Sequence, residues 1–232
     1  MQGYGLVVEI FFHTNKIIWI CQKFYVYWTI LIIVMNLSYN FDQEETDSQN
    51  YYFFKDGFNR EELKKIENDV SSLKYEIATT AGGTNSKVRS SKVKWIPQNQ
   101  DWWWLYKKLS DMAVEANDSL WKFDLTSIPE QIQYTEYLAT NKGHYDWHAD
   151  IGPGILSKRK ISITVQLSSP GEYEGGNLEV FRGGSMDGPF ESAERNEGCV
   201  FIFPSYLMHR VTPITKGIRK SFVLWLGGGH YK

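Results

Sequence analysis

The sequence predicts a mainly β fold with flanking helices, a jelly roll, and three observations lead to it. The chain has 232 residues, 42% of them hydrophobic and 16% aromatic, which is enough for one sizeable core but short for two. Two segments with helical spacing precede Pro129. After Pro129 the chain changes to short runs of period-two alternation separated by turn residues, as expected of antiparallel strands. Two helices followed by a β-rich half favour a jelly roll with the helices packed on one sheet.

Two helices are predicted before the β-rich half. Asn59 stands three positions before Glu62, which is the pattern of a capping box. Four apolar residues follow at helical spacing: Leu63, Ile66, Val70 and Leu73. We expect Asp101 to cap the second helix, which carries a stripe of residues three to four apart: Leu105, Leu109, Met112 and Ala116.

Strands are predicted from runs of alternating or apolar residues. The segment between the helices is rich in Gly and Ser and reads as a long loop with one short strand near Lys92–Ile96. Six more strands are predicted in the second half of the chain, near Ile132–Leu138, Lys160–Ser168, Asn177–Arg182, Cys199–Phe203, His209–Ile214 and Arg219–Leu226.

The N-terminal part differs in composition from the rest of the chain. We therefore divide the chain into an extension, residues 1–50, and a folded domain, residues 51–232. Residues 17–35 are apolar over about the length that spans a bilayer, and they constitute a marginal signal anchor. We favour the alternative that translation begins at Met35, which leaves residues 1–34 without a role in the fold. Residues 36–50 are acidic and suit a solvated linker.

Charge and cysteine content exclude several classes of protein. The formal net charge is -2, so no basic field supports nucleic acid as a partner. The two cysteines, Cys21 and Cys199, are far apart and provide neither a disulfide framework nor a cysteine zinc site. A reducing, cytoplasmic location is therefore predicted, with membrane anchoring through residues 17–35 as the alternative.

One pair of residues has the spacing of a metal site. His148 and Asp150 are two apart, so on an extended chain both side chains leave the same face and can reach one ion. Of the five histidines, His209 alone follows a buried-looking strand and opens another, which makes it the candidate third ligand. Two imidazoles and one carboxylate on Fe(II) leave positions open for a chelating cosubstrate and oxygen. Zinc accepts the same ligands, so the pair alone leaves the metal undecided.

An arginine follows ten residues after His209. On one strand Arg219 and Ser221 share a face with Val223 and Trp225, so the arginine is expected to point inward. A buried guanidinium is costly unless it meets an anion, and a carboxylate fits it in bidentate fashion. Ser221 can add a hydroxyl donor. The alternatives are an arginine that reaches solvent or forms a salt bridge to Glu179 or Asp124.

Three stretches of the chain follow one another in a specific order: QYTEYLATNKGHYDWHAD, RKISITVQLSSPGEYEGGNLEVF and GCVFIFPSYLMHRVTPITKGIRKSFVLW. With the upstream VRSSKVKWIP, they resemble the 2-oxoglutarate and iron(II) oxygenase superfamily, nearest its prolyl 4-hydroxylase-like branch. The resemblance covers the chain from about Tyr51 to the C-terminus. It implies a double-stranded β-helix fold, with iron at His148, Asp150 and His209 and the distal carboxylate of 2-oxoglutarate at Arg219 and Tyr137.

The resemblance also implies an activity. Such enzymes couple oxidation of 2-oxoglutarate to succinate and carbon dioxide with hydroxylation of a substrate, and ascorbate is a further cofactor that the family allows. A protein prolyl or other amino-acid side chain is our first expectation for the substrate, and a free amino acid or small molecule is the second. Gln166 stands where the family often has a tyrosine, whereas Gly175 and Gly176 match its glycine pair. The competing hypothesis is a non-catalytic, cupin-like jelly-roll module that only binds a ligand.

Overall fold

The computed structural model describes residues 50–229, apart from 79–82, 84, 184–187 and 189. The predicted apolar segment, residues 17–35, and the acidic linker up to residue 49 lie outside the described residues. Within the described part of the chain, no helix is both long enough and apolar enough to cross a membrane.

Both predicted helices are present, as α1 (Arg60–Ser71) and α2 (Trp103–Ser119). The capping box of α1 is confirmed, because Asn59 Oδ1 accepts from the N–H of Glu62 and the Glu62 carboxylate accepts from the N–H of Asn59. The expected cap of α2 is wrong. Trp102 occupies the N-cap and makes no side-chain cap bond, because an indole has no acceptor. The N–H of Trp102 donates to Asn99 Oδ1 in the preceding turn.

The described residues contain fourteen strands. Those of the first half are β1 (Tyr52–Phe54), β2 (Glu76–Ile77), β3 (Arg89–Ser90), β4 (Lys92–Ile96), β5 (Leu125–Ser127), β6 (Ile132–Leu138) and β7 (His144–His148). Those of the second half are β8 (Arg159–Gln166), β9 (Tyr173–Gly175), β10 (Leu178–Val180), β11 (Glu191–Ser192), β12 (Val200–Pro204), β13 (His209–Val211) and β14 (Ile214–Gly228). Short 3-10 turns lie at Ala139–Asn141, Gly154–Lys158 and Pro170–Glu172.

These strands form two antiparallel sheets, as a jelly roll requires. The major sheet has the order β1-β12-β8-β14-β6-β4-β2, and β5 and β9 also pair with β14. The minor sheet has the order β11-β10-β13-β7-β3. Most neighbours in the two sheets are not consecutive in the chain, so residues from far-apart segments come to lie side by side. The predicted fold class is confirmed.

The predicted strands at Lys92–Ile96 and Ile132–Leu138 are confirmed to the residue, and the others are displaced or differ in length. The strand predicted over His209–Ile214 is in fact two strands in different sheets. Pro213 stands between them and has no N–H to donate to a ladder, so β13 ends at Val211 and β14 begins in the major sheet. Seven short strands of two to five residues were not predicted.

Apolar side chains form one core between the helices and the major sheet, and a second between the sheets. Ile66 of α1 and Leu105 and Leu109 of α2 belong to the first core. Phe203, Val211 and other residues of both sheets form the second. Burial of one such side chain contributes roughly 1.5–3 kcal/mol to stability. The helices thus cover the outer face of the major sheet, and its inner face is left for a cavity.

Strand β14 alternates between these two environments. Phe222, Leu224 and Leu226 lie in the core beneath the helices. Arg219 and Ser221 line the cavity on the other face, as predicted, together with Val223 and Trp225. The alternation follows from the period-two geometry of an extended chain.

The chain enters the segment before β10 through the predicted glycine pair. Gly175 and Gly176 have φ values of +74° and +63°, a conformation that side chains rarely adopt. A Cβ at Gly175 would collide with the carbonyl oxygen of Pro213, and one at Gly176 would collide with Ile214 Cδ1 and lie 3.2 Å from Arg219 Cδ. The pair therefore allows the backbone to approach the arginine closely.

Candidate active site

A cavity of about 370 Å³ lies between the two sheets. All six residues predicted for the site line it: Tyr137, His148, Asp150, His209, Arg219 and Ser221. The major sheet contributes the arginine side of the cavity, and the ends of two minor-sheet strands contribute the histidines.

Strand pairing brings the two histidines together. His148 is the last residue of β7 and His209 the first of β13, and they are Cα partners in the ladder between these strands. Asp150 lies two residues beyond the end of β7. Asp150 Oδ1 is 3.7 Å from His148 Nε2, and Asp150 Oδ2 is 3.6 Å from His209 Nε2. Two ligands of one metal ion at about 2.1 Å each cannot be more than about 4.2 Å apart, so these distances suit a shared ion.

Both imidazoles are held by backbone carbonyls. His148 Nδ1 is 2.8 Å from the Asp146 oxygen, and His209 Nδ1 is 2.8 Å from the Leu207 oxygen. A carbonyl oxygen only accepts, so each Nδ1 carries a proton and donates it, which leaves Nε2 as the nitrogen available for a metal ion. Hydrogen bonds of this kind orient histidine ligands in metal sites.

The charge states of the cluster also suit metal ligation. Burial raises the pKa of the Asp150 carboxyl, but His209, His148, Ser162 and Arg159 outweigh this effect and lower the pKa to about 2. Burial, reinforced by His209, lowers the pKa of His148 to about 3. At neutral pH the carboxylate is therefore ionised and this imidazole is neutral, as a metal site requires. A soft thiolate ligand is absent from the cluster, and the donor set of two imidazoles and one carboxylate fits Fe(II).

Arg219 is a buried cation on the opposite wall of the cavity. Only 3% of it is exposed, and its guanidinium donates to the Ser221 hydroxyl at 3.3 Å. Tyr137, its cross-strand partner, has its ring centre 5.7 Å from the guanidinium carbon. Among the described residues no carboxylate lies within 4.0 Å of Arg219, and Glu179, one of the alternatives considered, pairs with Arg210 instead. The cavity therefore provides an anion site.

Several residues at the site were not singled out from the sequence. The Tyr145 ring stacks on His148 with centroids 3.5 Å apart. Arg159 donates to the backbone oxygen of Asp150 at 3.0 Å, pairs with Glu130 through two hydrogen bonds and lies 3.6 Å above the Trp225 ring. Nothing in the linear pattern around Arg159 marks it, because its role depends on partners from other strands.

Two residues weighed from the sequence lie away from the cluster. The ring nitrogens of His144 bond to the backbone oxygens of Lys142 and Lys87, so His144 is not part of the cluster. Gln166 donates to the Tyr173 hydroxyl and does not line the main cavity. It lies behind Arg219, at a smaller cavity that Arg219 also borders.

Comparison with known proteins places the fold and the cavity in a family. The model of the 2OG-Fe(II) oxygenase superfamily matches residues 132–227, which include both histidines, the aspartate and the arginine of the cavity. Over these residues the chain matches the 2OG-Fe(II) oxygenase superfamily. A PKHD-type hydroxylase of Rippkaea orientalis is 25% identical over 169 residues, which cover 71% of this chain and 72% of that relative.

Two solved structures have the same fold as this oxygenase. A Pseudomonas putida prolyl-4-hydroxylase superposes with a TM-score of 0.61 at 17% identity, and the match covers 77% of this chain and 93% of the prolyl-4-hydroxylase chain. A prolyl hydroxylase from Trichoplax adhaerens, in complex with a hypoxia inducible factor peptide fragment, has a TM-score of 0.64 at 14% identity and covers 77% and 83%. These two likenesses show a prolyl 4-hydroxylase-like fold, and the family match and the hydroxylase relative support an Fe(II)- and 2-oxoglutarate-dependent oxygenase.

Proposed function

We propose that this oxygenase hydroxylates an amino-acid side chain of a polypeptide, with a prolyl residue as the first candidate, and that 2-oxoglutarate is converted to succinate and carbon dioxide. The observation that carries the proposal is the combination, in one cavity, of the cluster of His148, Asp150 and His209 with the buried cation Arg219. A binding module without catalysis has no need of both.

We assign the metal to His148, Asp150 and His209. The two imidazoles offer Nε2 because the Nδ1 protons are engaged by backbone carbonyls, and the carboxylate is ionised at neutral pH. When bound, Fe(II) supplies the oxidising chemistry for cleavage of a C–H bond with 2-oxoglutarate and oxygen. The protein residues contribute orientation and charge.

We assign the far carboxylate of 2-oxoglutarate to Arg219. A guanidinium forms two parallel hydrogen bonds to a carboxylate, and such a pair is strongest where water is excluded, as it is at a side chain only 3% exposed. Ser221, which accepts a bond from Arg219, and Tyr137, which lies across the ladder from it, place two hydroxyl groups on the same wall. Both are proposed to donate to this carboxylate.

The remaining walls of the cavity are mixed, with charged residues such as Glu76 and Glu130 beside an apolar part. Trp95, Ile151 and Leu156 form this apolar part, which suits an aliphatic side chain of the substrate. Ile151 is 38% exposed, so an apolar surface continues to the outside, where a polypeptide can approach. The peptide complex of the Trichoplax adhaerens prolyl hydroxylase supports a polypeptide as the class of substrate.

The proposal is tested in two steps with the purified protein. The first measures succinate formed from 2-oxoglutarate with Fe(II) and oxygen, and we expect His148→Ala to abolish it while His144→Ala leaves it unchanged. Equal succinate formation by His148→Ala would refute the ligand assignment. The second incubates the wild-type protein with proline-containing peptides, with the same peptides lacking proline, and with free proline. Gain of one oxygen atom by the free amino acid alone would refute the polypeptide substrate.

A further inference from the structure

The carboxylate of Asp150 rests on a buried pair of serine hydroxyls. Ser162 Oγ is 2.6 Å from Asp150 Oδ2, and Ser205 Oγ is 3.0 Å from Ser162 Oγ. Both serines have 0% exposure, and neither lines the main cavity. Ser162 belongs to β8, and Ser205 follows β12, the neighbouring strand of the major sheet.

The direction of both hydrogen bonds follows from chemistry. An ionised carboxylate only accepts, so the hydroxyl proton of Ser162 is donated to Asp150. Ser162 then has no proton left for Ser205, and the hydroxyl of Ser205 must donate to Ser162. Since a hydrogen bond received by a hydroxyl strengthens the bond that it donates, Ser205 acts on the carboxylate through Ser162.

The backbone of Asp150 is fixed as well, so little freedom remains to its side chain. The Asp150 N–H donates to the Ser205 carbonyl at 2.9 Å, and the Asp150 carbonyl accepts from Arg159 at 3.0 Å. What remains is rotation of the carboxylate about its own bonds. A carboxylate free to rotate can present either one or two oxygens to a metal ion, and the second oxygen would fill a position that the reaction needs open.

We propose that Ser162 is a positioning residue that fixes the rotation of the Asp150 carboxylate by donating to Oδ2, with Ser205 acting only through Ser162. The inference rests on the proposed function, because it assumes that Asp150 is a metal ligand. Ser162 itself touches neither the metal nor the substrate.

The alternative is that the Ser162 hydroxyl contributes only to the stability of the core. Measurement of Fe(II) affinity distinguishes this structural role from the positioning role. We titrate the metal-free wild-type protein and Ser162→Ala with Fe(II) under anaerobic conditions, and then record the visible charge-transfer band after addition of 2-oxoglutarate. A positioning role predicts Fe(II) binding weakened by about 10-fold or more in Ser162→Ala, and a displaced band. Ser162→Thr keeps the hydroxyl and should recover most of the affinity.

Ser168→Ala is the matched control for loss of a buried hydroxyl. Ser168 is also fully buried, and its hydroxyl bonds to the backbone of Ile218 and Lys220. The Ser168→Ala variant should lose stability, as Ser162→Ala does, but its Fe(II) affinity should equal that of the wild type. If Ser162→Ala lowers thermal stability but binds Fe(II) as tightly as the wild type, with an unmoved band, the positioning role is overturned.

A double-mutant cycle tests the relay from Ser205. Ser205→Ala should weaken Fe(II) binding less than Ser162→Ala, and the double variant should be no weaker than Ser162→Ala alone, because Ser205 acts through Ser162. Additive losses would overturn the relay. Failure of the wild type itself to bind Fe(II) would overturn the proposed function and this inference together, whereas equal affinity of the wild type and Ser162→Ala overturns only the inference.

Discussion

The phenol ring of Tyr145 lies flat against the imidazole of His148, with ring centroids 3.5 Å apart and planes inclined by 15°. Tyr145 is itself covered by the guanidinium of Arg89, 4.7 Å from its ring centre. The hydrogen bond from Nδ1 fixes one edge of the imidazole, and the stacked ring fixes its plane. His148 is thus oriented by two independent contacts.

Tyr145→Ala is expected to weaken Fe(II) binding by about 10-fold, because it removes the ring that fixes the plane of the His148 imidazole. Tyr145→Phe retains the ring and should bind Fe(II) as the wild type does. Anaerobic titration of each variant provides the measurement. If both variants bind equally weakly, the phenol hydroxyl and not the stacking is responsible.

Arg219→Lys is expected to raise the Kd for 2-oxoglutarate at least about tenfold, equivalent to about 1.4 kcal/mol, because an ammonium group cannot form the two parallel bonds of a guanidinium. The charge-transfer band of the Fe(II) complex reports this Kd. Arg182→Lys is the matched control, since Arg182 is half exposed and pairs with Glu191. An unchanged Kd in Arg219→Lys would show that the cosubstrate carboxylate binds elsewhere.

Glu130→Gln is expected to lower the free energy of unfolding by about 2–3 kcal/mol, somewhat less than the cost of breaking a fully buried ion pair. It deprives the Arg159 guanidinium, 9% exposed, of a carboxylate that it contacts through two bonds. Urea denaturation measures the loss. Glu174→Gln, in the exposed pair with Lys216, should change stability by less than about 1 kcal/mol. Similar effects of the two variants would mean that Arg159 needs no counterion.

The metal-free protein is expected to lose stability as the pH falls from about 6.5 towards 3. The pKa of His148 is lowered from 6.5 to about 3 by burial, so the unfolded chain takes up this proton before the folded chain does. The free energy of unfolding should therefore fall by up to about 1.4 kcal/mol per pH unit in this window. Urea midpoints from pH 7 down to pH 4 measure the slope. His148→Gln should flatten it and His144→Gln should not; the same slope in all three proteins would contradict the assignment to His148.

Local patterns predicted the elements whose signals are contained in a few neighbouring residues. The capping box at Asn59 and the alternation of Arg219 and Ser221 with Phe222 are such signals, and both are present in the structure. The predicted cap of the second helix was wrong because the helix begins one residue later than expected, with Trp102 at the N-cap. Short edge strands such as β2 and β3 escaped prediction because two residues carry no period.

The sequence by itself determined the class of fold, the candidate ligands and the inward direction of Arg219, because face alternation and side-chain chemistry are properties of the local chain. Only the tertiary structure decided that His148 and His209 are cross-strand partners, that Ser162 bonds to Asp150, and that Tyr145 stacks on His148. Each of these contacts depends on the strand register and on the packing of the two sheets. Because register is set by many residues acting together, no short stretch of sequence contains it.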